Sequence, residues 1–160
     1  MLQHVFGFIG LAFIVGAWQF NNRNKILLLN VLAFIFFAAE LYLLDATIGA
    51  LMMIAAATNA ALAIYTQHRF LMVALIAIPL LLALPQASHW YDAMPIIAHM
   101  TGTITFFSKR VRRMRFLAPI GTILWGIHNI TVGAWGQFLA DLFILSSMIV
   151  GALRHQKDSA

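Results

Sequence analysis

The stretch Lys-Arg-Val-Arg-Arg-Met-Arg at residues 109–115 carries five of the ten Lys and Arg residues of the chain. It interrupts a sequence that is otherwise strongly apolar. Short loops rich in Lys and Arg stay on the cytoplasmic side of a membrane. This stretch therefore sets the direction of every apolar segment that precedes or follows it.

The composition indicates that lipid is the solvent of this chain. Of its 160 residues, 62% are hydrophobic and 9% are charged, and the mean hydropathy is +0.89. An ordinary soluble domain has roughly 25% charged residues. The net charge of +5 comes from basic residues between apolar runs, where anionic lipid head groups are the natural neighbours, so nucleic acid is not an expected partner. The lack of cysteine excludes disulfides and thiolate metal sites.

Seven apolar runs approach the ~20 residues that cross a hydrocarbon core of ~30 Å. In lipid the backbone must satisfy its own hydrogen bonds, so these runs predict helices. The fold class predicted is therefore an all-α membrane protein with seven transmembrane helices. The runs are Phe6–Phe20, Ile26–Leu44, Ala46–Tyr65, Phe70–Leu84, Met94–Phe107, Phe116–Val132 and Gly136–Leu153.

The distribution of basic residues gives the orientation. When the loops are assigned alternately to the two sides, one side receives all ten Lys and Arg residues and the other receives none. The positive-inside rule makes the charged side cytoplasmic. We therefore expect the N-terminus outside and the C-terminus in the cytoplasm.

The chain also shows a weak internal repeat. A shift of 88 residues places the turn at residues 44–46 over the turn at residues 132–134. This predicts one transmembrane domain, residues 1–160, built from triple-helix repeats at 6–65 and 94–153 and a linker helix at 70–84. Because the linker is a single helix, both repeats enter the membrane in the same sense, as in parallel-repeat transporters.

Ionisable residues inside the spans are expensive, by roughly 2.5 to 3.5 kcal/mol each on insertion scales, and each needs a reason. Four lie there: Glu40, His99, His128 and Asp141. The shift of 88 residues places Glu40 over His128. It also places Phe37 over Trp125, so each repeat presents an aromatic residue one helical turn before an ionisable one.

This coincidence predicts a solute path between the repeats. Trp125 and Phe37 would stack a solute, and Glu40 with His128 would gate its outer end. Asn59 falls over Ser147 near the midplane, where parallel-repeat transporters hold their substrate. The predicted substrate-binding residues are Phe37, Glu40, Asn59, Trp125, His128, Asn129, Asp141 and Ser147.

The same residues could instead have structural roles. Glu40 and His128 would pair with each other or with a backbone carbonyl and lock the repeats together. Asn59 and Ser147 would form hydrogen bonds between helices. The protein would then be a non-transporting scaffold that binds a lipid or a partner.

Catalytic motifs are missing from the sequence. It contains no Gly-rich phosphate loop, no His-Glu-x-x-His and no Gly-x-Ser-x-Gly. We therefore expect no enzyme, no catalytic residues, no metal site and no cofactor.

Several motifs together resemble a known family. They are Gly7–Leu11 followed by Trp18-Gln19-Phe20, Phe36-Phe37 with Glu40, and Leu124–Asn129 followed by Gly133-Ala134. Along nearly its whole length the chain resembles the YgjV-type bacterial inner-membrane proteins. The plan of three helices, one linker and three helices is also similar to the SWEET and PQ-loop superfamily, which carries sugars and other small solutes. The resemblance implies a multi-pass protein of the bacterial inner (plasma) membrane.

These observations predict a small-solute transporter or facilitator that works by rocking one triplet against the other. Its expected partners are the lipid bilayer and a small polar solute. A Glu and a His at the gate also permit proton coupling, because histidine titrates near neutrality. The identity of the solute and the formation of a homo-oligomer stay open at this point.

Overall fold

A computed structural model of the protein describes the backbone of residues 2–157; the side chains at 18, 111, 112, 115 and 147–157 lie outside the described ones. Within residues 2–157 the chain forms seven α-helices and two short 3-10 turns, Leu84–Gln86 and Trp90–Asp92. The helices are α1 (Leu2–Trp18), α2 (Arg23–Leu43), α3 (Thr47–Tyr65), α4 (Arg69–Ala83), α5 (Ala93–Phe106), α6 (Val111–Val132) and α7 (Trp135–Lys157).

All seven predicted runs are helical, with ends shifted by a few residues, so the all-α class is confirmed. In the part of the chain that the structure describes, three helical segments are long and apolar enough to cross a membrane: Arg23–Leu43, Thr47–Tyr65 and Arg69–Gln86. The apolar stretches Leu2–Ala17 and Phe116–Val132 are shorter.

Local sequence explains where the helices begin and end. The side chain of Asn22 accepts hydrogen bonds from the backbone N–H groups of Asn24 and Lys25 at 3.0 and 3.2 Å, which caps α2. The turns after α2 and α6 each use one left-handed residue, Asp45 with φ 58° and Gly133 with φ 75°. Aspartate and glycine tolerate this conformation better than most residues. These two positions differ by 88 residues.

The helices form a ring of six with one helix outside it. Helix α2 packs between α1 and α3, and α6 packs between α5 and α7. The ring closes because α1 contacts α7 and α3 contacts α5. Helix α4 packs mainly on α3 and α5 and has a single buried residue, Ala83, so it lies outside the ring.

Apolar side chains cover much of the outer surface, whereas many polar ones are buried. Phe70, Phe116 and Ile123 are among the large exposed residues, while Asn30 and Gln137 are nearly inaccessible. Soluble proteins seldom expose so many large apolar side chains on contiguous helix faces. This distribution suits a bundle whose surroundings are lipid.

The two ends of the ring differ in charge and in contacts. At one end the Arg23 guanidinium donates hydrogen bonds to the carbonyl oxygens of Ala63 at 2.8 Å, Phe106 at 2.7 Å and Ser108 at 3.0 Å. These carbonyls belong to the C-terminal ends of α3 and α5, where positive charge is favourable. We call this the basic end, since Arg69 and the 109–115 stretch follow directly after these helices. The other end, with the turns at 45 and 133, is the turn end.

Candidate functional site

A cavity of about 90 Å³ lies inside the helix ring. All six helices of the ring contribute to its lining, and α4 contributes none of the described lining residues. On α6 the lining extends from Leu117 to Asn129, which at ~1.5 Å per residue is roughly 18 Å. Its volume is several times the ~10–15 Å³ that one water needs. The cavity is therefore elongated along the bundle and wide enough for a very small molecule.

A polar cluster lines this cavity on α6 and α7. The Asn129 side-chain amide donates a hydrogen bond of 2.8 Å to Oδ2 of Asp141, and both residues are buried. Gln137 lies one turn before Asp141 on the same face of α7, so it joins the lining. The Gln137 amide nitrogen lies 3.2 Å from the Phe37 carbonyl oxygen and 3.4 Å from Oε2 of Glu40. We call Asn129, Gln137 and Asp141 the polar cluster.

Aromatic side chains line the cavity on opposite sides of the ring. Phe37 comes from α2 and Trp125 from α6. Phe37 packs over Gly10 of α1, where an added Cβ would lie 2.5 Å from the ring. The structure thus brings the predicted aromatic pair to one cavity, and the proposed stacking of a solute stays a prediction.

Glu40 lies at the junction of α1, α2 and α7, not in the cavity lining. Its carboxylate accepts hydrogen bonds from the Gly136 N–H at 3.3 Å and from the Gln137 amide at 3.4 Å, and it lies 3.4 Å from Nδ1 of His4. Gly136 is in the first turn of α7, so the carboxylate is placed at the positive end of that helix. The carboxylate occupies the space beside Gly7, where any Cβ would overlap it.

His128 lies at the corresponding junction on the other side of the ring. Its Nδ1–H donates to the Tyr91 carbonyl oxygen at 3.1 Å; a carbonyl can only accept, so in the neutral imidazole Nε2 is the unprotonated nitrogen. Nε2 faces Gly49 in the first turn of α3, 2.6 Å from where a Cβ would be. Glu40 and His128 therefore do not bond to each other; each packs against the first turn of a helix in the opposite triplet.

Asn59 joins α3 to α5 and does not line the cavity. Its amide donates a hydrogen bond of 2.6 Å to the Thr103 hydroxyl, which in turn donates to the His99 carbonyl at 2.8 Å. His99 does line the cavity, and its ring nitrogen Nε2 donates to the Leu75 carbonyl of α4 at 3.1 Å. These bonds link α3, α4 and α5.

The predicted binding residues thus fall into two groups. Four line the cavity, three form junctions between helices, and the Ser147 side chain lies outside the described residues. Gln137 was missed by sequence reasoning, although its spacing of four residues from Asp141 is a signal that could have identified it. The residues that line the cavity are Phe37, Trp125, Asn129 and Asp141. The residues that form junctions between helices are Glu40, Asn59 and His128.

Comparison with known proteins gives one family. The sequence model of Imp-YgjV, described as a bacterial inner membrane protein, matches residues 1–159. No curated protein and no solved structure matches the chain at a significant level, and none of these comparisons links it to the SWEET or PQ-loop proteins.

Proposed function

The chain belongs to the Imp-YgjV family of bacterial inner membrane proteins, and we propose that it carries a small solute across that membrane. The path passes through the cavity inside the ring. Triplets α1–α3 and α5–α7 rock against each other, and α4 is the linker between them. In this proposal all seven helices cross the bilayer, with the basic end in the cytoplasm and the N-terminus outside.

The arrangement of the ring supports two related triplets. Exchanging α1 with α5, α2 with α6 and α3 with α7 converts the α1–α7 contact into the α5–α3 contact, and both are present. The left-handed residues Asp45 and Gly133 also exchange. So do Glu40 and His128, each beside the first turn of a helix in the other triplet. Parallel repeats of this kind place substrate sites at the interface between them.

The observation that carries the proposal is a cavity inside the ring, with polar contacts between the triplets at both ends of the bundle. At the basic end Arg23 of the first triplet binds the carbonyls of Phe106 and Ser108 in the second. At the turn end Glu40 of the first triplet binds Gly136 and Gln137 of the second. In this proposal, breaking one set of contacts at a time opens the cavity to one side of the membrane only.

Accessibility of an introduced cysteine tests this proposal directly, because the chain has no native cysteine. Thr122 lines the cavity and is buried, whereas its neighbour Ile123 is 51% exposed on the outer surface of the ring. We expect Thr122→Cys to react slowly with a small membrane-impermeant thiol reagent applied to either side of sealed vesicles. We expect Ile123→Cys, which faces lipid, to stay unreactive from both sides.

The scaffold alternative predicts a different result. The bonds of Asn59 to Thr103 and of Glu40 to α7 join helices, which is a common use of polar residues in membrane bundles. If these contacts only hold a static bundle together, Thr122→Cys is unreactive from both sides and behaves like Ile123→Cys. That outcome would remove transport in favour of the scaffold.

A further inference from the structure

The polar cluster contains two buried oxygen atoms without a hydrogen-bond partner among the described residues. They are Oδ1 of Asn129 and Oε1 of Gln137. Each residue is 1% exposed, and both line the cavity. A buried acceptor that lacks a donor is costly, so a donor from a bound water or a ligand would satisfy these two oxygens.

The orientation of both amides follows from their neighbours. The Gln137 nitrogen lies against the carbonyl oxygen of Phe37, which can only accept, so turning the amide round would place oxygen against oxygen. The Asn129 nitrogen lies 2.8 Å from Oδ2 of Asp141 and donates to it. The oxygens, and not the nitrogens, are therefore left free.

The hydroxyl and amide donors in the lining are already engaged. The hydroxyls of Thr105 and Thr122 donate to carbonyls of their own helices at 2.8 and 3.0 Å. The Asn30 amide donates to the Ile26 carbonyl at 2.7 Å. Asp141 is the one Asp, Glu, Lys or Arg residue in the described lining. Besides the Trp125 indole N–H, the cavity thus offers acceptors and a carboxyl group, and it suits a ligand that donates hydrogen bonds and carries positive charge.

We infer that the cavity binds a small protonated amine, an inference that rests on the function proposed for this site. An alkylammonium group has three N–H donors and no acceptor, which matches the free oxygens of Asn129 and Gln137 and the carboxylate of Asp141. Its hydrocarbon part would contact Phe37, and the face of Trp125 would attract the cation. The cavity of about 90 Å³ limits the ligand to a few non-hydrogen atoms.

Other ligand classes fit these walls less well. An anion would meet Asp141 with no Lys or Arg in the described lining. A sugar hydroxyl both donates and accepts, and the hydroxyl and amide donors of the lining are engaged within the protein, which leaves it the Trp125 indole N–H. Calcium takes six to eight oxygen ligands and magnesium an octahedral set, which exceeds the oxygens of the polar cluster.

Ethylammonium and ethanol form a matched pair of probes, equal in non-hydrogen atoms and different in charge. We expect radiolabelled ethylammonium to bind saturably to the full chain in lipid nanodiscs, and unlabelled ethanol at equal concentration not to displace it. Asp141→Asn should weaken this binding by about tenfold or more, since hydrogen bonds to a charged group are the stronger ones. Asp45→Asn makes the same exchange at an exposed turn and should leave binding unchanged.

Three results would overturn the inference. One is ethanol competing as well as unlabelled ethylammonium, and another is K⁺ displacing the amine at equal concentration. Both comparisons use the unsubstituted protein, so they hold even if Asp141→Asn does not fold. The third is unchanged binding by folded Asp141→Asn.

Flux measurements separate this inference from the proposed function. If labelled ethylammonium binds but does not cross the bilayer of proteoliposomes, the ligand class stands and transport fails. If a neutral solute crosses and ethylammonium neither binds nor crosses, transport stands and the ligand class is overturned.

Discussion

At the scale of single residues, the contact between α1 and α7 depends on two glycines. A Cβ at Gly136 would overlap the backbone of Gly7, so the two helices touch through their main chains. We predict that Gly136→Ala destabilises the protein by about 1–3 kcal/mol, the usual cost of overpacking a filled interior. The measurement is the unfolding free energy, or the melting temperature, in lipid nanodiscs.

Gly16 provides the matched control, since it lies in α1 and an added Cβ there meets no atom within 4 Å. Gly16→Ala should be neutral or slightly stabilising, because alanine is the better helix former by up to about 1 kcal/mol. Equal stability of the two variants would mean that the helices do not approach as closely as described.

At the scale of helices, Glu40 caps α7 from a different helix. Its carboxylate accepts from the Gly136 N–H and the Gln137 amide, which a glutamine side chain cannot do with both of its terminal atoms. We predict that Glu40→Gln costs about 1–2 kcal/mol, the range for a charge at a partly buried helix end. In this variant the rate of hydrogen exchange in the first turn of α7 should rise, which mass spectrometry would measure.

Asp45→Asn, at an exposed position, serves as the control and should leave hydrogen exchange in the first turn of α7 unchanged.

Solute flux is a second measurement at the scale of helices. If Glu40 and His128 gate the path, Glu40→Gln and His128→Ala change the rate of solute entry into proteoliposomes. Unchanged flux in both variants would leave these side chains as structural contacts alone.

At the scale of the whole molecule, the orientation rests on the sorting of the basic residues. We predict that Arg69→Cys and Arg113→Cys react with an impermeant maleimide only from the cytoplasmic face, because both follow helices that finish at the basic end. Asp45→Cys, at the turn end, should react only from the outside. Labelling of the two arginine positions from different faces would contradict the topology and the paired triplets together.

The sequence predicted the helices well, because apolar runs, basic loops and the turns at Asp45 and Gly133 are local signals. It predicted less well which side chains meet. In helices that are apolar on every face, periodicity does not fix the rotation about the helix axis. Glu40 lies over Gly7 and His128 over Gly49 because distant glycines leave room there, and such pairings arise only from packing. Gln137 was missed although its spacing of four residues from Asp141 puts both side chains on one face of α7.

The position of α4 makes the two seams of the ring unequal. Helix α4 crosses the outside of the α3–α5 seam and is tied to it by the bond from His99 to Leu75, whereas in the described part of the chain the α1–α7 seam has no covering helix. Helix α4 therefore holds the two triplets together along the α3–α5 seam. At the α1–α7 seam the contacts of Glu40 join them instead. Because no described helix covers the α1–α7 seam, we expect the triplets to separate there first, beginning at the Glu40 contacts of the turn end.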